Sequence, residues 1–120
     1  MVRELADALH QRGRVVHMHR QVFPDGTPDR IWIPDVAARG WIIVTRDRRL
    51  QYRRLEWMAF LRAKTCVLWF RGDRASNREI TEAFLAALPA IDALTAGLLP
   101  PYIVKVTSAG RVEQIYPERI

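Results

Sequence analysis

The chain has 120 residues, 49% of them hydrophobic, which is enough for one domain with one core and excludes a disordered chain. Lys and Arg number 19 against 13 Asp and Glu, a formal charge of +6 and a pI near 10.4, so the expected partner is anionic: nucleic acid, an acidic protein or an anionic membrane surface. Cys66 is the only cysteine, which excludes an internal disulfide; no run approaches the ~20 apolar residues of a membrane span; and "MVRELADALHQRG" has no apolar signal core, so a cytoplasmic location is expected.

Val2, Leu5, Ala6 and Leu9 share one helical face, and Gly13 ends that helix. "RVVHMH" (14–19) is a short β-branched run that predicts a strand, and "RQVFPDGTP" (20–28) predicts a loop. Thr27, Pro28 and Asp29 read as N-cap, first helical position and first-turn acid. Pro34 is expected to break that helix after one turn, with a second helix running "PDVAARG" to Gly40. "WIIVT" (41–45) and "CVLWF" (66–70) are continuous apolar runs, expected as strands buried on both faces. Between them "RRLQYRRLEWMAFLRA" (48–63) reads as a helix with Leu50, Trp57, Met58 and Leu61 inward. Cys66 opens the second strand as a buried structural thiol. Ser76 and Glu79 form a capping box for a helix carrying Ile80, Phe84, Ala87, Leu88 and Ile91, which Pro89 is expected to bend or divide. "YIVKVTSAGRVEQIYP" places two alternating runs around Ser-Ala-Gly, a β-hairpin. Helices alternating with continuous apolar strands predict an α/β layer fold with a mostly parallel sheet.

In such a sheet, chemistry gathers beyond the carboxyl ends of the strands. Asp47 stands two residues past "WIIVT", Asp29 opens the preceding helix, and Glu56 lies nine residues further on. Acids converging there suit Mg²⁺ or Mn²⁺, which takes one or two carboxylates plus water and phosphate oxygens. Asp25, Asp35 and Asp73 are weaker candidates. Plainer roles compete: Asp47 as a helix cap, Asp29 serving only the helix dipole, Glu56 paired with Arg53. Arg46, Arg48, Arg49, Arg53 and Arg54 crowd Asp47, and cations at a helix start oppose the dipole by ~0.3–1 kcal/mol each. A site for polyanionic substrate accounts for them better than a structural helix start does. His17-x-His19 has no second His or Cys cluster to complete a zinc site, and "RGD" (71–73) is read as chance. Trp32, Trp41, Trp57 and Trp69 are expected in the core rather than as base-stacking platforms.

"TPDRIWIPDVAARGWIIVTRDRRL" resembles the PIN-like nuclease domains, in particular the VapC-type toxins of toxin–antitoxin pairs. In that family an acid precedes a Trp-Ile-Pro helix and an apolar strand ends in Thr-x-Asp. Asp29 and Asp47 match those acids, and Glu56 falls where relatives often carry a glutamate. The resemblance runs from about residue 3 to 96 and implies a three-layer PIN-like fold. Residues 1–96 would form that domain, and 97–120 a C-terminal hairpin extension. It further implies a Mg²⁺- or Mn²⁺-dependent ribonuclease held by a cognate antitoxin, and leaves a homo-oligomer open. Asp29 and Asp47 would bind the metal, Glu56 would assist, and Arg46, Arg48 and Arg49 would hold the RNA backbone. The family pattern opens on an apolar strand ending in Asp, whereas Met1 here leads directly into the helix. A coding start upstream of Met1 is the expectation; a real truncation that is unstable, inactive or completed by a partner strand is the alternative. Against the ribonuclease stands a non-catalytic module of the same fold that binds RNA or antitoxin. A phosphorylated receiver domain fits less well, because five complete βα units are not visible.

Overall fold

The computed structural model describes residues 3–46, 54–72 and 74–118, with backbone alone at 54–56. Along the chain run α1 (Arg3–Gln11), α2 (His19–Val22), α3 (Asp29–Ala38), β1 (Ile42–Thr45) and α4 (Arg54–Arg62). They are followed by β2 (Cys66–Arg71), α5 (Asn77–Ala96), β3 (Tyr102–Thr107) and β4 (Val112–Tyr116). The strands form one sheet in the order β1-β2-β3-β4. β1, β2 and β3 are parallel, with Ile42 opposite Cys66 and Cys66 opposite Tyr102. β4 returns antiparallel to β3 as the expected hairpin. This is the α/β fold the alternation predicts, and β3 ties the hairpin into the same sheet.

Strand pleating sorts the apolar side chains into two layers. Leu68 and Phe70 of β2 and Val104 and Val106 of β3 pack against Leu5 and Leu9 of α1 and Phe84 of α5. Val67, Trp69 and Ile103 point the other way, onto Ile33 and Val36 of α3 and Phe60 of α4. Because both faces are covered, β2 and β3 read as unbroken apolar runs rather than alternating ones. Phe84 is 1% exposed, and burying such a side chain contributes about 1.5–3 kcal/mol.

Several local expectations are corrected. No strand forms over 14–19 among the described residues: 14–18 carry no regular element, and His19 begins α2. A strand needs a neighbour for its backbone groups, and the sheet supplies none to this run. Its side chains still alternate, Val16 packing on the α1–α5 layer and His17 stacking on Trp41. Thr27 does not cap α3; its hydroxyl donates to the Pro24 carbonyl at 2.6 Å, and Pro28 takes the cap position. Pro34 sits inside an unbroken α3 and Pro89 inside an unbroken α5. Each proline lies on the exposed side and removes one backbone bond, while Ile33 and Val36, or Leu88 and Ile91, anchor the helix on its buried side. In α4 Phe60 is buried, Trp57 and Leu61 are half-buried, and Met58 is 44% exposed, so Met58 is not an inward residue. The Ser76–Glu79 capping box forms as expected, Glu79 N–H donating to Ser76 Oγ at 3.1 Å and Ser76 N–H to Glu79 Oε1 at 3.3 Å. Trp69 is buried; Trp32, Trp41 and Trp57 are half-buried against the α3–α4 layer.

Candidate functional site

The end of α3 decides where Asp29 sits. Gly40 takes φ +71°, a left-handed position that favours glycine. Its N–H donates to Ala37 C=O at 3.0 Å, and the Trp41 N–H donates to Val36 C=O at 3.2 Å. That paired closure stops the helix and turns the chain straight into β1. α3 packs on the sheet through Ile33 and Val36 and opens with Asp29, while Arg46 follows one residue beyond Thr45 of β1. Both Asp29 and Arg46 are exposed. Asp29 Oδ1 accepts a hydrogen bond from Trp32 Nε1 at 2.9 Å, one helical turn on.

Asp47, Arg48 and Arg49 lie outside the described residues, as does Asp73. Glu56 falls on α4, and its side chain lies outside them too. Of the predicted site residues, Asp29 and Arg46 are those whose side chains are described, Asp29 opening α3 and Arg46 following β1. Asp25 is exposed in the loop before α3, and Asp35 accepts from Arg39 Nε at 2.9 Å one turn along the same helix. Among the described residues no group of three or more His, Cys, Asp and Glu could hold a metal ion. His17 and His19 do not act together on one ligand. His17 stacks on Trp41, centroids 4.2 Å apart, and His19 packs edge-on against Trp32 at 5.0 Å. The Arg39 guanidinium lies 4.7 Å from the Trp41 ring centre, a cation–π contact.

Away from the rim, Cys66 is half-buried, and burial pushes its thiol above the ordinary range against a hydrogen bond with Tyr102. Arg14 and Asp92 form an ion pair between the turn after α1 and α5, and that hydrogen bond raises the guanidinium further.

Sequence reasoning missed a cleft of about 550 Å³ between residues 14–18 and β1. Its walls include Val15 and Ile42, which are 79% and 47% exposed, and its depths include Leu68, Phe84 and Ile91. Its signals were two apolar runs that both read as strands and the family's leading strand, which has no counterpart in the sequence; where the two runs separate depends on sheet order, which local pattern does not carry.

Among the described residues no helix is long and apolar enough to cross a membrane. A family model described as PIN like domain matches residues 1–72, from the start of the chain to just past β2. No curated protein and no solved structure matches the chain.

Proposed function

We propose, since the chain belongs to the PIN-like domain family, that it is a metal-dependent ribonuclease that hydrolyses RNA phosphodiester bonds. The supporting observation is the family match across residues 1–72, which takes in Asp29, Arg46 and Asp47 together.

The donor chemistry at the rim suits a hard cation. Asp29 offers an exposed carboxylate whose orientation is fixed by the Trp32 indole, the kind of outer contact that steadies a ligand. Asp29 and Asp47 would hold Mg²⁺ or Mn²⁺, with Glu56 assisting as a further ligand or through water. The ion, when bound, supplies an activated water and steadies the leaving oxygen. Arg46, Arg48 and Arg49 supply guanidinium groups for the phosphate backbone, giving affinity without reading sequence. In this reading the chain is a cytoplasmic VapC-type toxin restrained by a cognate antitoxin.

The test is cleavage of RNA by the purified chain with Mn²⁺, beside Asp29→Asn and Asp47→Asn variants. Cleavage that requires the metal and disappears in both variants is expected. Cutting that survives either substitution removes that acid from the site. RNA binding without cutting in the parent chain identifies a non-catalytic module instead.

A further inference from the structure

We infer that Arg71, Thr107 and Arg111, with Arg74 beside them, form a second phosphate-binding station, which carries a single strand of RNA from Arg46 across the end of the sheet onto the C-terminal hairpin. The inference rests on RNA as the ligand of the proposed function and adds where a longer strand is held. Thr107 and Arg111 lie outside the residues 1–72 that match the family.

Strand register builds the station. β2 and β3 are parallel, and Arg71, the last residue of β2, stands opposite Thr107, the last of β3. The Thr107 N–H donates to the Arg111 carbonyl at 2.9 Å, so Arg111 flanks Thr107 from the other arm of the hairpin. Phe70 and Val106 turn to the α1–α5 layer, so Arg71 and Thr107, one residue on, take the opposite face. Val112 also packs on the α1–α5 layer, which leaves Arg111 on the face of Arg71 and Thr107. Two arginines thus flank a hydroxyl in the last row of the sheet, ~10 Å apart across two strand spacings. The loop after β2 closes on the hairpin turn: a side-chain carbon at Gly72 would meet Ser108 Cβ at 3.3 Å, and the Ala75 N–H donates to the Gly72 carbonyl at 3.2 Å. Arg74 lies in that loop.

The donors there are unspent. Arg46, Arg71, Arg74 and Arg111 are exposed, and none makes an ion pair among the described residues, whereas Arg14, Arg39 and Arg78 are paired. The acid one row inward, Glu113, is taken by Lys105 at 2.9 Å. Thr107 Oγ1 accepts from the Arg111 N–H at 3.1 Å, which leaves its own O–H to donate. Guanidinium forks beside a hydroxyl donor match the oxygens of a phosphate.

Placement selects RNA over an acidic protein. β1 and β2 are parallel neighbours, so Arg46, one residue past β1, stands at the same end of the sheet as Arg71. From Arg46 to Arg111 the cations cross three strand spacings, ~14 Å, a line suited to a phosphate backbone. A protein interface needs an apolar centre within its polar rim. The exposed large hydrophobic residues are Val15, Ile31, Ile42, Met58 and Leu99, and none belongs to the β2–α5 loop or the hairpin turn. The station therefore offers charge and hydrogen bonds alone.

The experiment measures binding of a labelled oligouridylate of about ten nucleotides to the 120-residue chain over a KCl series, in EDTA so that the strand stays intact. The Arg71→Gln/Arg111→Gln double variant should bind about tenfold more weakly or worse and lose ~1.4 from the salt slope, two phosphates at ~0.7 each. Thr107→Val keeps the shape, removes the hydroxyl donor, and should weaken binding severalfold with the slope unchanged. In the parent chain the RNA should slow amide exchange at residues 108–111, a readout that needs no variant to fold. Parent binding that the double variant leaves intact, with no protection of the hairpin, overturns the station; a loss in Arg46→Gln would then leave the RNA reading standing. No RNA binding by the parent removes that reading and the station with it. Polyglutamate that protects the hairpin where RNA does not assigns these cations to an acidic protein and overturns the proposal.

Discussion

Asp29 and Trp32 show what one side chain asks of another. The carboxylate is exposed, yet the indole N–H one turn along holds Oδ1 at 2.9 Å. Trp32→Phe keeps the ring against the α3 layer and removes only that donor. If Asp29 is a metal ligand, Mn²⁺ affinity should fall by about 10-fold or more with the melting temperature little changed, as calorimetric titration would register. A second residue pair gives a pH dependence. Burial raises the Tyr102 phenol, Cys66 adding to the rise, and burial raises the Cys66 thiol as well. Both groups are held neutral in the fold and ionise more readily in the unfolded chain. Their contribution is therefore whole below the ordinary ranges, near 9.0 and 10.0, and is lost as pH climbs through them toward the raised folded values. Denaturant midpoints taken at rising alkaline pH should drop more steeply for the parent chain than for Tyr102→Phe.

At the scale of elements, helix ends do much of the positioning. α1, α3 and α4 close alike, the chain turning back through Gly13, Gly40 and Lys64 with paired bonds such as Thr65 N–H to Phe60 C=O at 3.1 Å. Lys64 does so at φ 57°, where a side chain costs roughly 1–2 kcal/mol. Lys64→Gly should raise stability by about 1 kcal/mol, part of the relief being lost to a freer unfolded chain. Gly40→Ala, made in open space at φ +71°, should lower it by a similar amount in the same urea titration. The Gly13 and Gly40 ends, the Ser76–Glu79 box and the apolar strands were legible in the sequence because each is a local matter of propensity and period. The run 14–19 was not: it has the composition of a strand, but a strand exists only beside another, and neighbours are settled by topology. Pro34 and Pro89 misled for the opposite reason, since tertiary burial on the far side of each helix outweighs one missing bond. The cleft was not legible, because it required knowing which edge of the sheet stays open.

For the whole molecule, the excess of positive charge is the property that reaches furthest. RNA affinity should fall linearly in log–log against salt, with a slope near −2 if Arg46, Arg48 and Arg49 each neutralise one phosphate of a single strand. Arg46→Ala should reduce that slope by about 0.7 without changing sequence preference, as filter binding over a KCl series would reveal. Topology carries a different consequence. β3 is among the last elements along the chain, yet it lies between β2 and β4, and Ile103, Val104 and Val106 are each 0% exposed. During synthesis, β2 can pair with β1 but waits for its second lateral neighbour until Tyr102–Thr107 have left the ribosome, with α5 emerging in between. A nascent polypeptide halted short of that point displays an uncovered hydrophobic flank, and is the form of this protein that chaperones and proteases would meet.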